Sequence, residues 1–273
     1  MLHVYLDGDG TPELAGYPAV DPTPREPLVL DLMALDGGPA IYLGRPCYHG
    51  LADRASCVPA LWTSARYSDT VVASMAAVAR RVIAARDVER VVWIGYSGGG
   101  VLAALLARRM PETVGLVTIA ANLDIDAWSD ARGAPRLVDS LNPASQPALP
   151  PGVRQRHYAG GRDELVRPAI TRQGVGPGAE LVVVADYDHR CCWVTLWPDV
   201  LTWLDRESLV PRPRGRRSLA SEYSRTAGAA HRSRSATAPP GRGAGGLGGP
   251  FEGPPSQNGT RTPSVTVYML RSL

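Results

Sequence analysis

Lysine is absent from the 273 residues, and phenylalanine occurs once. Without lysine there is no Gly-Lys-Ser/Thr phosphate cradle, which excludes a P-loop nucleotide site. All the basic residues are arginine, a bias that codon usage in a GC-rich genome explains. No stretch reaches the roughly 18 apolar residues of a membrane-spanning helix, so no membrane span is expected. Met1 runs directly into the strand-like LHVYL, without the leader pattern of a signal peptide. The four cysteines, Cys47, Cys57, Cys191 and Cys192, form no Cys-x-x-Cys and no paired Cys-x-x-His, so a zinc site is not indicated. Two readings of the cysteines stay open. They are buried thiols, or Cys47 and Cys57 close a loop as a disulfide, which would imply an oxidising compartment.

Charge is present but unevenly divided. Residues 1–210 carry 19 arginines against 24 carboxylates, a net of −5, while residues 211–273 carry 10 against 2, a net of +8. The overall +3 is thus a sum of unlike pieces and does not point to nucleic acid. The acidic part has no basic stripe, and the basic part lacks aromatics for base stacking. Residues 211–273 are rich in Gly, Pro, Ser, Arg and Ala and cannot bury enough apolar surface to offset chain entropy, so a disordered tail is expected there. It includes an Asn258-Gly-Thr sequon of a kind common by chance.

Residues 1–210 alternate strand and helix patterns. LHVYL at 2–6 reads as a strand, 11–27 as an irregular loop, 28–38 as a helix and AIYLG at 40–44 as a strand. A polar, Cys-containing loop leads to a helix over 69–86. Then come the apolar strand RVVWIG (90–95), a helix over 98–110 and the strand TVGLVTIAA (113–121). A weak helix is predicted near 135–140, strands over 154–160 and 179–186, and a short helix near 167–173. A last helix over 191–206 is expected to be interrupted by Pro198. The order predicts an α/β fold with a mostly parallel sheet and helices on both faces.

The chemistry concentrates at Gly95-Tyr96-Ser97-Gly98-Gly99-Gly100. It fits G-x-S-x-G between an apolar strand and a helix, a context that presents a serine hydroxyl at the end of a sheet. A dinucleotide fingerprint is excluded because Ser97 holds its second Gly position. A nucleophilic serine needs a base and an orienting acid. His189, in the turn after strand 179–186, is the candidate base, and Asp163, in the Gly160-Gly161-Arg162-Asp163 turn, the candidate acid. Glu164, Asp186 and Asp188 are rivals for the acid. Backbone N–H groups of Gly98 and of Asp9 or Gly8, in the turn Asp7-Gly8-Asp9-Gly10, are candidates for an oxyanion hole. Tyr96 and Trp128 are candidate substrate-lining residues.

Strand–GYSGG–helix, GGRDELV before a helix and ADYDH in the last strand turn resemble the α/β-hydrolase superfamily over about residues 2–207. Its members are mostly esterases, lipases, thioesterases and peptidases. The resemblance implies Ser97, Asp163 and His189 as triad, no cofactor and a small-molecule acyl substrate. DGDG stands where relatives often carry a His-Gly turn, with Asp7 in place of the His. The first strands of the family pattern are missing, and the cap at about 122–150 is short. An upstream segment holding those strands and a signal sequence would make this an exported bacterial protein. The function expected is a serine hydrolase of carboxylic esters or related acyl bonds. A non-catalytic binding protein of the same fold, or an inactive truncated product, is the alternative.

Overall fold

The computed structural model describes residues 1–208 and the strand Val267–Met269. Its main sheet has strands β1 (Leu2–Leu6), β4 (Ala40–Leu43), β5 (Val91–Tyr96), β6 (Thr113–Ile119), β7 (Arg154–Gly160), β8 (Glu180–Val184) and β9 (Val267–Met269). The order is β8-β7-β6-β5-β1-β4-β9. All neighbours from β8 to β4 run parallel, and β9 pairs antiparallel with β4. The expected disordered tail over 211–273 otherwise lies outside the described residues, with its Asn258 sequon. β9 is a strand that the composition did not indicate, and it pairs the outer edge of β4.

The crossover connections between the parallel strands place helices on both faces. One face carries α2 (Asp69–Ala85) and α3 (Gly98–Ala107), the other α1 (Leu28–Ala34) and α6 (Trp193–Ser208). α2 starts where the Ser68 hydroxyl accepts the Val71 N–H. It buries Val71, Val72, Met75, Ala79 and Ile83 on one stripe, at helical spacing. β1 shows the sheet alternation directly: Leu2, Val4 and Leu6 join the α2/α3 core, while Tyr5 joins the α1/α6 core. α3 is buried along all ten residues, as befits a helix that leads straight from a central strand.

Three local expectations change. Residues 13–18 are not irregular but form a hairpin, β2 (Glu13–Leu14) and β3 (Tyr17–Pro18). Its turn residues Ala15 and Gly16 both have positive φ (52° and 81°), the geometry that suits a two-residue hairpin. The cap helix lies at α4 (Ile125–Ala131), not at 135–140. The Asp124 carboxylate starts it by accepting the N–H groups of Asp126 and Ala127, and Asn142 ties back to Asp124 at 2.9 Å. Residues 135–140 instead form an irregular segment that closes in a turn, where the Ser140 amide bonds the Leu137 carbonyl and the Ser140 hydroxyl bonds the backbone of Ser64 and Tyr67. α6 passes through Pro198 unbroken. Trp193, Trp197, Val200 and Leu204 are buried on one side of it, and Tyr5 meets Trp197 edge-on at 5.9 Å, packing that holds the helix across the lost backbone bond. A short helix α5 (Pro168–Gly174) falls where the sequence predicts one.

Cys47 and Cys57 are bonded, with Cα atoms 5.6 Å apart, so the buried-thiol reading does not hold for this pair. Cys191 and Cys192 are also paired. Among the described residues no helix is long and apolar enough to cross a membrane.

Candidate active site

Ser97 joins β5 to α3 with φ 52° and ψ −126°. A side chain held in this region is strained by roughly 1–3 kcal/mol, and the neighbours must fix it there. They do so by close packing that only glycine permits. A Cβ on Gly95 would overlap the backbone of Gly99 and Gly100, and a Cβ on Gly99 would overlap the carbonyls of Leu6 and Asp7. The first turn of α3 therefore lies against the end of β1, with the turn that follows β1 directly beside the serine.

β7 and β8 end at the same edge of the sheet. After β7, the Gly160-Gly161 pair packs against the backbone of Tyr187, Asp188 and Ala185, so the two post-strand turns touch. This contact brings Asp163 to His189. His189 Nε2 lies 3.1 Å from Ser97 Oγ, and His189 Nδ1 lies 2.8 Å from Asp163 Oδ2. The Asp163 side chain is fully buried, and its other oxygen accepts the N–H groups of Leu165 and Val166 at 2.9 and 2.7 Å. That turn both locks the carboxylate and serves the backbone that follows it. The rival acids stand elsewhere. Asp186 pairs with Arg162, Asp188 accepts the N–H groups of Arg190 and Cys191, and Glu164 is exposed. The other described histidines are taken up too: His3 by Asp36, His49 by Tyr42 and His157 by Thr118.

The turn Asp7-Gly8-Asp9 lies against the serine, with Gly8 facing Ser97 Cβ. Gly8 and Asp9 differ as donors. The Gly8 N–H is already given to Asp7 Oδ1 at 2.8 Å, whereas the Asp9 amide has no partner among the described residues. Gly98 has its Cα against the Asp9 carboxylate and the Tyr67 hydroxyl. The amides of Asp9 and Gly98 thus stand on adjoining backbone beside Ser97.

Behind this turn is a polar cluster that the sequence did not reveal. Asp9 accepts from Arg45 (2.7 Å), Arg66 (3.0 Å) and Tyr67 (2.6 Å), and its carbonyl accepts the Tyr48 hydroxyl (3.0 Å). Burial works against ionisation of Asp9, but the two guanidiniums outweigh it and keep its carboxyl below the usual range. Arg45 is buried between the rings of Tyr48 and Tyr67, at 5.5 and 5.6 Å. Asp7 behaves oppositely. Burial pushes its carboxyl up to about 6, against the Gly8 bond and the more distant Arg45 and Arg190, and its Oδ2 is buried without a partner.

A cleft of about 550 Å³ opens over Ser97 and His189. Tyr96 and Trp128 both line it. The Tyr96 ring lies 5.2 Å from that of His189, and Trp128 is fixed by donating its indole N–H to the Leu165 carbonyl at 3.0 Å. Asn122, at the end of β6, also reaches the cleft, though it stood in no sequence motif.

No protein-family model matches the chain. A search of curated proteins likewise finds no match. Solved structures do resemble it. The α/β hydrolase domain-containing protein 10 from mouse is 13% identical with a TM-score of 0.51, over 75% of this chain and 88% of that one. The Pyrococcus furiosus esterase Pf2001 is 15% identical with a TM-score of 0.49, over 75% and 82%. A putative hydrolase from Agrobacterium vitis S4 is 14% identical with a TM-score of 0.49, over 76% and 87%. Taken with the parallel sheet order and the turns that end β5, β7 and β8, the similarity shows that this chain has the α/β-hydrolase fold.

Proposed function

We propose that the protein is a serine hydrolase that cleaves a carboxylic ester or related acyl bond through an acyl-enzyme intermediate. The observation that carries this reading is the continuous relay from Ser97 Oγ to His189 Nε2 (3.1 Å) and from His189 Nδ1 to Asp163 Oδ2 (2.8 Å). His189 takes the proton of Ser97 as its oxygen attacks the acyl carbon. Asp163, buried and held by two backbone amides, fixes the imidazole and offsets its charge while it is protonated. The amides of Gly98 and Asp9 receive the oxyanion, and the N-terminal end of α3 favours the same charge. His189 then hands its proton to the leaving oxygen. In the second half it draws a proton from water, which attacks the acyl carbon and frees Ser97.

The test uses short p-nitrophenyl esters and a fluorophosphonate probe. The wild type is expected to turn over the esters and to take the label. Ser97→Ala is expected to lose roughly 10⁴ to 10⁶-fold in rate and to stay unlabelled. Equal turnover by both proteins would sink the assignment.

A further inference from the structure

The cleft over Ser97 has a mixed lining. Trp128, Leu165 and Val166 supply apolar surface, and Arg25, Arg66 and Arg190 also line it. Acyl transfer by the Ser97 relay uses none of these arginines. Their own partners show which are matched. Arg190 pairs with Glu26 at 2.6 Å. The Asp9 carboxylate is shared between Arg45 and Arg66, two cations for one anion. Arg25 has no ion-pair partner among the described residues. The cleft thus has three arginines to three carboxylates, Asp7, Asp9 and Glu26, but Arg25 stands outside any ion pair among the described residues and Arg66 shares its anion with Arg45.

Arg66 is built as a fixed donor. Its Nε donates to the Thr63 carbonyl at 2.6 Å and its Nη1 to Asp9 at 3.0 Å. The side chain is only 11% exposed, Arg66 lines the cleft, and its Nη2 has no partner among the described residues. Most of the rotamer entropy and desolvation of this guanidinium is thus already spent before any ligand arrives. It stands close to the reaction as well, because the carboxylate it grips abuts Gly98, beside the nucleophile.

We infer that the natural substrate is an acyl ester whose short acyl chain ends in a carboxylate, held by Arg66 Nη2 and Arg25. The inference rests on the reading of Ser97 as nucleophile and adds the substrate class. The reacting ester reaches the amides of Gly98 and Asp9, and the chain turns past Asp9 so that its terminal carboxylate meets the free Nη2. A charge-assisted bond to a preformed guanidinium is worth roughly tenfold to a hundredfold in kcat/KM.

The experiment compares the p-nitrophenyl monoester of glutaric acid with p-nitrophenyl valerate, of equal carbon count, with spontaneous hydrolysis subtracted. The readout is the ratio of the two kcat/KM values, which cancels any effect on the chemical step. The wild type is expected to favour the monoester at least tenfold, and added salt is expected to lower that ratio. Arg66→Gln and Arg25→Ala are each expected to bring the ratio towards one. Arg25 is exposed, so its variant reports even if Arg66→Gln folds poorly. A wild-type ratio of one or less, or a preference that survives both substitutions, overturns the proposal while leaving valerate turnover intact. If neither ester is cleaved and the fluorophosphonate leaves Ser97 unlabelled, the nucleophile reading itself fails, and this one with it.

Discussion

Replacing Asp7 by Asn should stabilise the protein increasingly as pH rises from 4 to 8. Asp7 is 5% exposed and lies at the end of β1, where burial pushes its carboxyl up to about 6. An unfolded aspartate titrates near 3.9. A folded value above the unfolded one means that the native state holds this proton more tightly. The stabilisation is complete below about pH 4 and is lost as pH rises through about 6. Two pKa units amount to roughly 3 kcal/mol, so wild-type stability should fall by up to that much over this window on account of Asp7 alone. The charges facing the carboxyl are Arg45, Arg190 and Asp31. Asparagine keeps the Oδ1 acceptor for the Gly8 amide and removes the charge. It also puts an amide N–H where Oδ2 is buried without a partner, which costs the same at every pH. The quantity to read is therefore the slope, not the offset. Urea unfolding of both proteins at several pH values between 4 and 8 gives the difference in stability, and titrations common to both cancel in it. A difference that stays flat with pH would refute the assignment of Asp7 as a buried, proton-holding carboxyl.

Other expectations follow from single contacts. Asp163→Asn should lower kcat by roughly 10⁴-fold with little change in Tm, because asparagine still accepts the Leu165 and Val166 amides but misorients His189; a full-rate variant would remove Asp163 from the relay. Burial pushes His157 down to about 4, so the native state resists its protonation. Stability is thus lost as pH falls below about 6.5, levelling off below about 4, by roughly 3 kcal/mol, and His157→Gln should flatten that loss in the same urea titration. Gly99→Ala sets a Cβ into the carbonyls of Leu6 and Asp7 and should cost about 1–3 kcal/mol in thermal or chemical unfolding. Replacing Cys47 and Cys57 together by serine opens a loop of sequence separation 10 and should cost about 3 kcal/mol, with an unchanged Tm counting against the bond.

What could be read in the sequence was whatever is local to a strand end. Ser97, Asp163 and His189 each stand within a few residues of the strand that carries them, and a parallel sheet brings such ends to one edge. The choice between Gly8 and Asp9 was not legible. It turns on where one carboxylate, that of Asp7, spends a hydrogen bond. Asp7 and Asp9 look alike in DGDG, yet one is pushed up by burial and the other held down by two arginines. The cap helix was misplaced for a related reason. Its start depends on Asp124 and on Asn142, 18 residues away, rather than on periodicity.

The loop between β4 and α2 shows most clearly why the remainder was hidden. As sequence, residues 45–68 offer polar character and two cysteines, and they raise only a question of redox compartment. In the fold this loop carries Arg45, Tyr48, Arg66 and Tyr67, which reach Asp9 across separations of about 36 to 58 residues. No motif links positions so far apart; only the closure of the loop does. The Cys47–Cys57 bond, with Trp62 and Tyr48 packed around it, fixes the segment that begins with Arg45. The disulfide thus belongs to the support of the Asp7-Gly8-Asp9 turn as much as to stability. Opening it should loosen Asp9 and Gly98 together, so that turnover of a neutral ester falls at temperatures where the native fold is still fully populated.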